Sequence, residues 1–209
     1  MTHSDVSTAS PASDSSPTRP EEVQLLRGTL VRLAAWEPEQ DAKAYASWSD
    51  DIRFVRLGFD SPARPLSVGE ARANLERRMT LWPESVEFAV RPLGGEGLLG
   101  EARLYDIQWN HRTAVAGLGI GRPDDWGKGY GTDVMRLLLR YGFDELNLHR
   151  IWLDTFGYNE RAIAMYRRLG FVEEGRLREH LERDGRRYDV VLMGMLRDEY
   201  ETSAATAQP

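Results

Sequence analysis

The segment "DDWGKGYGTDVMRLLLRYGFDEL", residues 124–146, places a glycine at every second position directly before a helical pattern of apolar residues. Gly127, Gly129 and Gly131 carry no side chain, so a ligand can approach the backbone closely there. The apolar spacing predicts a helix from about Thr132 to Leu146. A helix N-terminus presents unpaired N–H groups and the positive end of the helix dipole. Together these features predict an anion site, typically one for phosphate.

Two common phosphate motifs compete for this loop. A P-loop needs Lys-Ser or Lys-Thr after its last glycine, whereas Gly131 is followed by Thr132 and Asp133, so that motif is excluded. A dinucleotide fold also has a strand, a glycine loop, a helix and a second strand, which here would contain Asp154. However, the spacing is G-x-G-x-G, and "GRPDDW" separates the strand from the loop. The dinucleotide reading therefore stays as the weaker alternative.

Composition limits the class of protein. The 209 residues suit one domain with a full core, or two small ones. Lys plus Arg number 27 and Asp plus Glu 33, and this net charge of −6 argues against a nucleic-acid coat and suits cationic substrates. Cysteine is absent, which excludes disulfides, thiolate metal sites and a cysteine nucleophile, and we expect no metal. The sequence shows neither a membrane-spanning run nor a secretory signal, so we expect a cytoplasmic protein without membrane contact.

Hydrophobic patterns organise the rest of the chain. Residues 1–20 are rich in Ser, Thr, Pro and Asp and predict a disordered tail, while residues 201–209 are expected to fray. Residues 21–200 predict one domain with the element order β, α, α, β, β, β, α, β, α, β, β. That order indicates a mixed α/β fold with a single central sheet of about seven strands and about four flanking helices.

Local signals mark several element ends. Ser67 and Glu70 have the spacing of a capping box. Asn159 is a plausible N-cap and Gly170 a plausible residue just past a helix C-terminus. Asp184-Gly185 predicts a tight turn between the last two strands.

Two segments carry a family resemblance: "GLGIGRPDDWGKGYGTDVMRLLLRYGFDELNLHRI" and "YNERAIAMYRRLGFVEEGRLRE". They resemble the GCN5-related N-acetyltransferase (GNAT) superfamily, in particular its ribosomal-protein-alanine and spermidine acetyltransferase branch, over about Leu25 to Leu196. The resemblance implies an acyl-CoA N-acyltransferase fold with a mostly antiparallel sheet, and acetyl-CoA as cosubstrate. Gly129 and Gly131 match the family's Gln/Arg-x-x-Gly-x-Gly/Ala signature, but Trp126 stands where Gln or Arg is usual.

The resemblance also implies which residues bind the cofactor. The cradle for its diphosphate would be Gly127, Lys128, Gly129, Tyr130, Gly131 and Thr132. The pantetheine arm would run beside the backbone of Leu118, Gly119 and Ile120, and contact Asn159. We expect the strands around Ala114–Ile120 and Arg150–Phe156 to diverge at one end, so that the arm fits between them like an extra strand.

Acetyl transfer to an amine requires a lost amine proton, donors for the developing oxyanion and a proton for the departing thiolate. The N–H of Ile120 is a candidate oxyanion donor. Tyr166 matches the family's general-acid tyrosine, although its helical spacing also fits a core aromatic. Glu101 is our first candidate for the base, with Asp106 and His111 as alternatives, and in this family the base often acts through ordered water.

The acceptor region is expected in "AYASWSDDIRFVRLGFDSPARP". Its Trp48, Phe54 and Phe59 lie among charges and could cradle a cationic amine, although Trp48 alone fits a core residue better. The sequence therefore predicts an N-acetyltransferase that acts by direct attack through a tetrahedral intermediate on a small-molecule amine or a protein N-terminus, with a homodimer possible. The alternatives are a catalytically silent acyl-CoA-binding module and a dinucleotide-dependent oxidoreductase.

Overall fold

The computed structural model describes residues 24–206. Its strands are β1 (Val31–Ala34), β2 (Val86–Pro92), β3 (Gly100–Gln108), β4 (Thr113–Ile120), β5 (Arg150–Phe156), β6 (Val172–Arg183) and β7 (Arg186–Leu196). Its α-helices are α1 (Pro38–Trp48), α2 (Ile52–Gly58), α3 (Val68–Arg78), α4 (Tyr130–Arg140), α5 (Glu160–Arg168) and α6 (Arg197–Thr206). The strand count and the mixed α/β class agree with the prediction from sequence.

Two of these helices were not predicted. Helix α2 is only seven residues long and begins at Asp51, whose side chain accepts a hydrogen bond from the N–H of Arg53. Helix α6 includes residues 201–206, which the sequence led us to expect would fray. Its Tyr200 stacks on Phe143 with ring centroids 4.7 Å apart, which docks the helix on the core. The predicted tail of residues 1–20 and residues 207–209 lie outside the described residues. Within the described part, every helix is too short or too polar to cross a membrane.

The helix after the glycine loop ends differently from the prediction. The α-helical part stops at Arg140, and Tyr141–Glu145 continue as a π-helical turn. A Cβ atom on Gly142 would lie 2.5 Å from Cδ1 of Ile151, so this turn presses against β5 where only a glycine fits. The wider turn therefore accommodates a close approach of helix and sheet.

The sheet has the order β1-β2-β3-β4-β5-β7-β6. All neighbouring strands are antiparallel except β4 and β5, which are parallel. These two strands pair only at Thr113–Arg150, Ala114–Ile151 and Val115–Trp152. Beyond Val115 and Trp152 they separate, which confirms the predicted divergence. The separation leaves one side of β4 without a partner strand in the described structure.

Asp133 joins the N-terminal strand to the helix that follows the glycine loop. Its carboxylate accepts hydrogen bonds from the backbone N–H groups of Thr29 at 3.2 Å, Leu30 at 2.7 Å and Val31 at 3.0 Å. Burial opposes ionisation of this side chain, but the backbone donors outweigh it and lower the pKa of Asp133. The anchor therefore holds the start of α4, and the loop before it, in one position.

The local signals at three other element ends are confirmed. The Ser67–Glu70 capping box is complete in both directions. Gly170 adopts φ +98° just past α5, and both Asp184 and Gly185 have positive φ in the turn between β6 and β7. These ends were predictable because each depends only on residues adjacent in the chain.

Candidate active site

A cavity of about 710 Å³ opens where β4 and β5 separate. It is lined by all the predicted site residues except Lys128, namely Glu101, Leu118, Gly119, Ile120, Gly127, Gly129, Tyr130, Gly131, Thr132, Asn159 and Tyr166. The ammonium of Lys128 instead pairs with Asp125 at 3.0 Å. The two alternative bases, Asp106 and His111, are exposed and do not line the cavity.

The glycine loop has the geometry of an anion-binding nest. Gly127 and Gly129 adopt φ +78° and +89°, and Gly129 is the N-cap of α4. Among the described residues, no hydrogen bond uses the N–H groups of Gly127, Lys128 or Gly129, and no side chain caps the helix. The first N–H groups of a helix also lack intrahelical partners. The loop therefore offers a run of free amides, which fits a phosphate group.

The direction of the β4 backbone decides which residues face the cleft. The N–H of Gly121, the residue directly after β4, donates to the carbonyl of Leu99, the residue directly before β3, at 2.9 Å. Backbone groups alternate in direction along a strand, so Gly119 also faces β3, while Leu118 and Ile120 face the cleft. Of the three residues predicted to line the pantetheine arm, only Leu118 and Ile120 thus present backbone groups to it.

Trp126, noted in the sequence only as a departure from the family signature, connects the loop to β4. Its indole N–H donates to the carbonyl of Ile120 at 2.7 Å. The guanidinium carbon of Arg161 lies 4.7 Å from the centroid of the Trp126 ring. Both side chains line the cavity. Sequence reasoning missed Arg161, because its position opposite the loop depends on how α5 packs.

Asn159 and Tyr166 both belong to the α5 segment. The side-chain oxygen of Asn159 accepts from the N–H of Ala162 at 3.3 Å, so it is the N-cap that the sequence predicts. Tyr166 is 8% exposed, and its ring packs edge-on against Phe171. No described group hydrogen-bonds to its hydroxyl. Burial, followed by the nearby charge of Asp154, raises the pKa of Tyr166, so the phenol stays protonated.

Glu101 is a fixed carboxylate at the wall of the cavity. It is ion-paired with Arg78 at the end of α3, and Arg78 also pairs with Glu87 at 2.5 Å. The Arg78 guanidinium further donates to the hydroxyl of Tyr45 at 3.2 Å and lies over the ring of Trp36. One carboxylate oxygen of Glu101 is therefore already engaged by a hydrogen bond from Arg78. The sequence did not reveal Arg78, which comes from a distant helix.

Asp154 on β5 is a second carboxylate of the cavity, and it is exposed there. Its pKa is raised, first because the surrounding protein desolvates it and further because Asp60 lies nearby, while Arg103 and His180 act in the opposite direction. No described side chain forms an ion pair with it. Sequence reasoning considered Asp154 only as part of the dinucleotide alternative, so its place beside Tyr166 is new.

The aromatic residues of the predicted acceptor region divide into two sets. Trp48 is 3% exposed and packs in a core cluster with Phe54 and Val55, and it does not line the cavity. Phe54 and Phe59 do line it. The core interpretation therefore holds for Trp48, and the other two rings form an apolar part of the cavity wall.

Comparison with known proteins places this site in a family. Residues 31–172 match the family model described as the acetyltransferase (GNAT) domain. Spermidine N(1)-acetyltransferase of Vibrio cholerae is 37% identical over 105 residues, which span 50% of this chain and 60% of that relative. The Bacillus licheniformis protein named uncharacterized N-acetyltransferase p20 is 26% identical over 161 residues, 77% of this chain and 90% of that relative.

A solved structure has the same fold. The crystal structure of spermidine N-acetyltransferase from Vibrio cholerae in complex with CoA and spermine superposes with a TM-score of 0.72 and 27% identity, covering 82% of this chain and 98% of that chain. The chain therefore belongs to the GNAT family and is an acetyl-CoA-dependent N-acetyltransferase.

Proposed function

We propose that the acceptor of this acetyltransferase is a cationic small-molecule amine of the polyamine class. The observation that carries this proposal is a set of three carboxylates, Asp60, Glu101 and Asp154, at the cavity end formed by Phe54 and Phe59. Amines with pKa values of about 10 are cations at neutral pH and are attracted by such a set. The spermidine acceptors in the names of two matched relatives agree with this chemistry.

One cation also lines this end of the cavity near the carboxylates. The guanidinium carbon of Arg103 lies 4.4 Å from the centroid of the Tyr105 ring, so it is turned onto an aromatic face. Arg161, Arg168 and His180 are the other basic side chains of the cavity. The carboxylates that line the whole cavity outnumber its arginines, and this balance supports a positively charged acceptor; the carboxylates are Asp60, Glu101, Asp125 and Asp154 and the arginines are Arg103, Arg161 and Arg168.

At the other end, the free amides of residues 127–132 would hold the cofactor's diphosphate. The cleft-facing backbone groups of Leu118 would bind its pantetheine arm as a partner strand would, while the carbonyl of Ile120 already accepts the indole N–H of Trp126. When bound, acetyl-CoA supplies the activated acetyl group. The N–H of Ile120, which faces the cleft, would donate to the acyl oxygen.

Two side chains would move protons. We assign Asp154 as the group that takes the proton of the attacking amine, directly or through water, because it is exposed in the cavity and unpaired. Glu101, our first candidate from sequence, already accepts a hydrogen bond from Arg78 and would instead bind a second ammonium of the acceptor. Tyr166, protonated and without a hydrogen-bond partner in the described structure, would donate its proton to the departing thiolate.

An acceptor screen tests the proposal. Release of free CoA thiol is measured with spermidine, spermine, short diamines, a monoamine of similar length and peptides with varied N-terminal residues. We expect the polyamines to give the highest kcat/KM, and Asp60→Asn to raise their KM. Asp106→Asn is the matched control, because that carboxylate is exposed outside the cavity. A preference for peptides would replace the polyamine by a protein N-terminus, and no turnover with any amine would favour a silent acyl-CoA-binding module.

A further inference from the structure

We infer that Arg161 is a phosphate-binding side chain of the cofactor site and that Trp126 is its positioning residue. The inference rests on the proposed use of the glycine loop as the diphosphate site. It assigns to these two side chains a recognition of phosphate that is separate from the backbone amides.

Trp126 is held in place at two points. Its backbone N–H donates to the carbonyl of Pro123 at 3.0 Å, which closes the short 3₁₀ turn of Pro123–Asp125. Its indole N–H donates to the carbonyl of Ile120 at 2.7 Å. The ring also packs against the core cluster of Trp48 and its neighbours. The indole plane therefore has one fixed orientation, at the start of the glycine loop.

Arg161 lies on this plane. Its guanidinium carbon is 4.7 Å from the ring centroid, within the range of a cation–π contact, and it lines the same cavity as Gly127 and Gly129. A guanidinium stacked on a ring keeps its N–H edges free and loses less entropy when it binds an anion. The Trp126 ring thus holds the Arg161 guanidinium in an orientation in which it can bind an anion.

Two neighbouring cations differ from Arg161 in their partners, whereas Arg168, which also lines the cavity, forms no ion pair among the described residues. Lys128 pairs with Asp125 at 3.0 Å, and Arg167 on the same helix pairs with Glu173 at 2.7 Å. Within residues 24–206, no carboxylate forms an ion pair with Arg161. An unpaired cation beside a nest of free amides has the chemistry to bind a phosphate dianion or diphosphate.

Coenzyme A offers two sources of this chemistry, the diphosphate and the 3′-phosphate. Calorimetric titration with CoA and with dephospho-CoA separates them. Arg161→Met is expected to weaken CoA binding about tenfold, the size of one charge-assisted hydrogen bond near the surface. An equal loss for both ligands identifies the diphosphate, and a loss for CoA alone identifies the 3′-phosphate.

Arg167→Met is the matched control, because Arg167 lies on the same helix but outside the cavity, and it should leave both affinities unchanged. Unchanged affinity of Arg161→Met for both ligands, with normal binding by the wild-type protein, overturns this inference alone. Absence of CoA binding by the wild-type protein overturns the proposed diphosphate site together with it.

The role of Trp126 is tested by a double-mutant cycle. Trp126→Phe keeps a ring face but loses the indole donor, and Trp126→Leu loses both. The effect of Arg161→Met on CoA affinity should shrink clearly below tenfold in the Trp126→Leu background and stay near its full size in the Trp126→Phe background. Melting curves check that each variant is folded. An undiminished Arg161→Met effect beside a folded Trp126→Leu overturns the positioning role.

Discussion

The two ends of the cavity are built in different ways. The cofactor end consists mainly of backbone, contributed by one continuous stretch, residues 127–132, and by the free edge of β4. The acceptor end consists of side chains, with Asp60, Glu101 and Asp154 coming from three separate parts of the chain. Backbone recognition suits a cosubstrate that is common to a whole family. Side chains from distant elements can change one at a time, and we propose that they select the amine that is accepted.

The two ends also differ in charge. Free amides and Arg161 face the end proposed for the anionic cofactor, while carboxylates face the end proposed for the cationic acceptor. Tyr166 lines the same cavity, close enough to Asp154 for that charge to act on it. The following variants test this division, from the largest expected effect to the smallest.

Tyr166→Phe should have the largest effect. The change removes only the hydroxyl, which has no hydrogen-bond partner among the described residues, so packing against Phe171 is kept. General acid catalysis contributes roughly 10²–10⁴-fold, and turnover should fall by about that factor while CoA affinity and melting temperature change little. Steady-state kinetics beside calorimetry measures this. Near-normal turnover would show that Tyr166 is a core aromatic and nothing more.

Asp154→Asn should lower turnover by about 100-fold, the lower end of the range for general base catalysis. Because the pKa of Asp154 is raised, protonation removes the base at a higher pH than in a free aspartate. The acidic limb of kcat/KM against pH should therefore lie above the ordinary aspartate pKa and vanish in the variant.

The same shift has a consequence for stability. A raised pKa means that the folded state binds the proton more tightly than the unfolded chain, so the ionised side chain lowers stability at neutral pH. Asp154→Asn should thus melt at a slightly higher temperature while losing activity. Glu101→Gln is the comparison variant, expected to raise the KM for polyamines and to keep the acidic limb. If Glu101→Gln abolished the acidic limb and Asp154→Asn kept it, Glu101 would be the base.

Gly129→Val tests the cofactor end of the cavity, which consists mainly of backbone. Gly129 has φ +89°, which is strained for any side chain, and a Cβ atom there would also lie 3.1 Å from Cδ1 of Leu30. Loss of about one or two charge-assisted hydrogen bonds should weaken CoA binding roughly 30-fold. Gly185→Val is the control, because it has a similar φ of +73° in a distant turn with open space around it. Equal CoA affinity in both variants would remove the loop from the diphosphate site.

Asp133→Asn should have the smallest effect on the reaction, because it acts mainly on the stability of the folded protein. An amide cannot accept all the hydrogen bonds of the buried carboxylate, and the loss should cost about 2 kcal/mol at neutral pH. The lowered pKa of Asp133 means that its contribution is present above the unfolded pKa of about 3.9 and disappears as pH falls through the folded value. Urea unfolding at pH 7 and pH 3 should show a large difference from wild type only at pH 7.

The sequence predicted what depends on neighbouring residues. The glycine loop, the Ser67–Glu70 capping box and the turn at Asp184-Gly185 all have local causes. It did not reveal Arg78, whose role depends on a contact between α3 and β3. Nor did it predict helix α6, whose Tyr200 packs on Phe143 from a distant part of the chain.

The proposed site residues follow the same rule. Gly129 and Tyr166 were identifiable because they lie within short patterns of the family. Asp154 was visible as a residue but not as a candidate base, since its raised pKa depends on desolvation by the surrounding protein and on Asp60, far away in the chain. For Arg161, the deciding neighbour is Trp126, which belongs to another segment.

The parallel seam between β4 and β5 spans only three residue pairs. The sheet therefore consists of two halves joined by this short stretch. Beyond it, a strand is missing between β4 and β5. The proposed cosubstrate would fill that gap and act as a removable structural element. Hydrogen exchange should slow at the amides of Leu118 and Ile120 when CoA saturates the protein, whereas Gly121, already bonded to Leu99, should exchange at the same rate in both states.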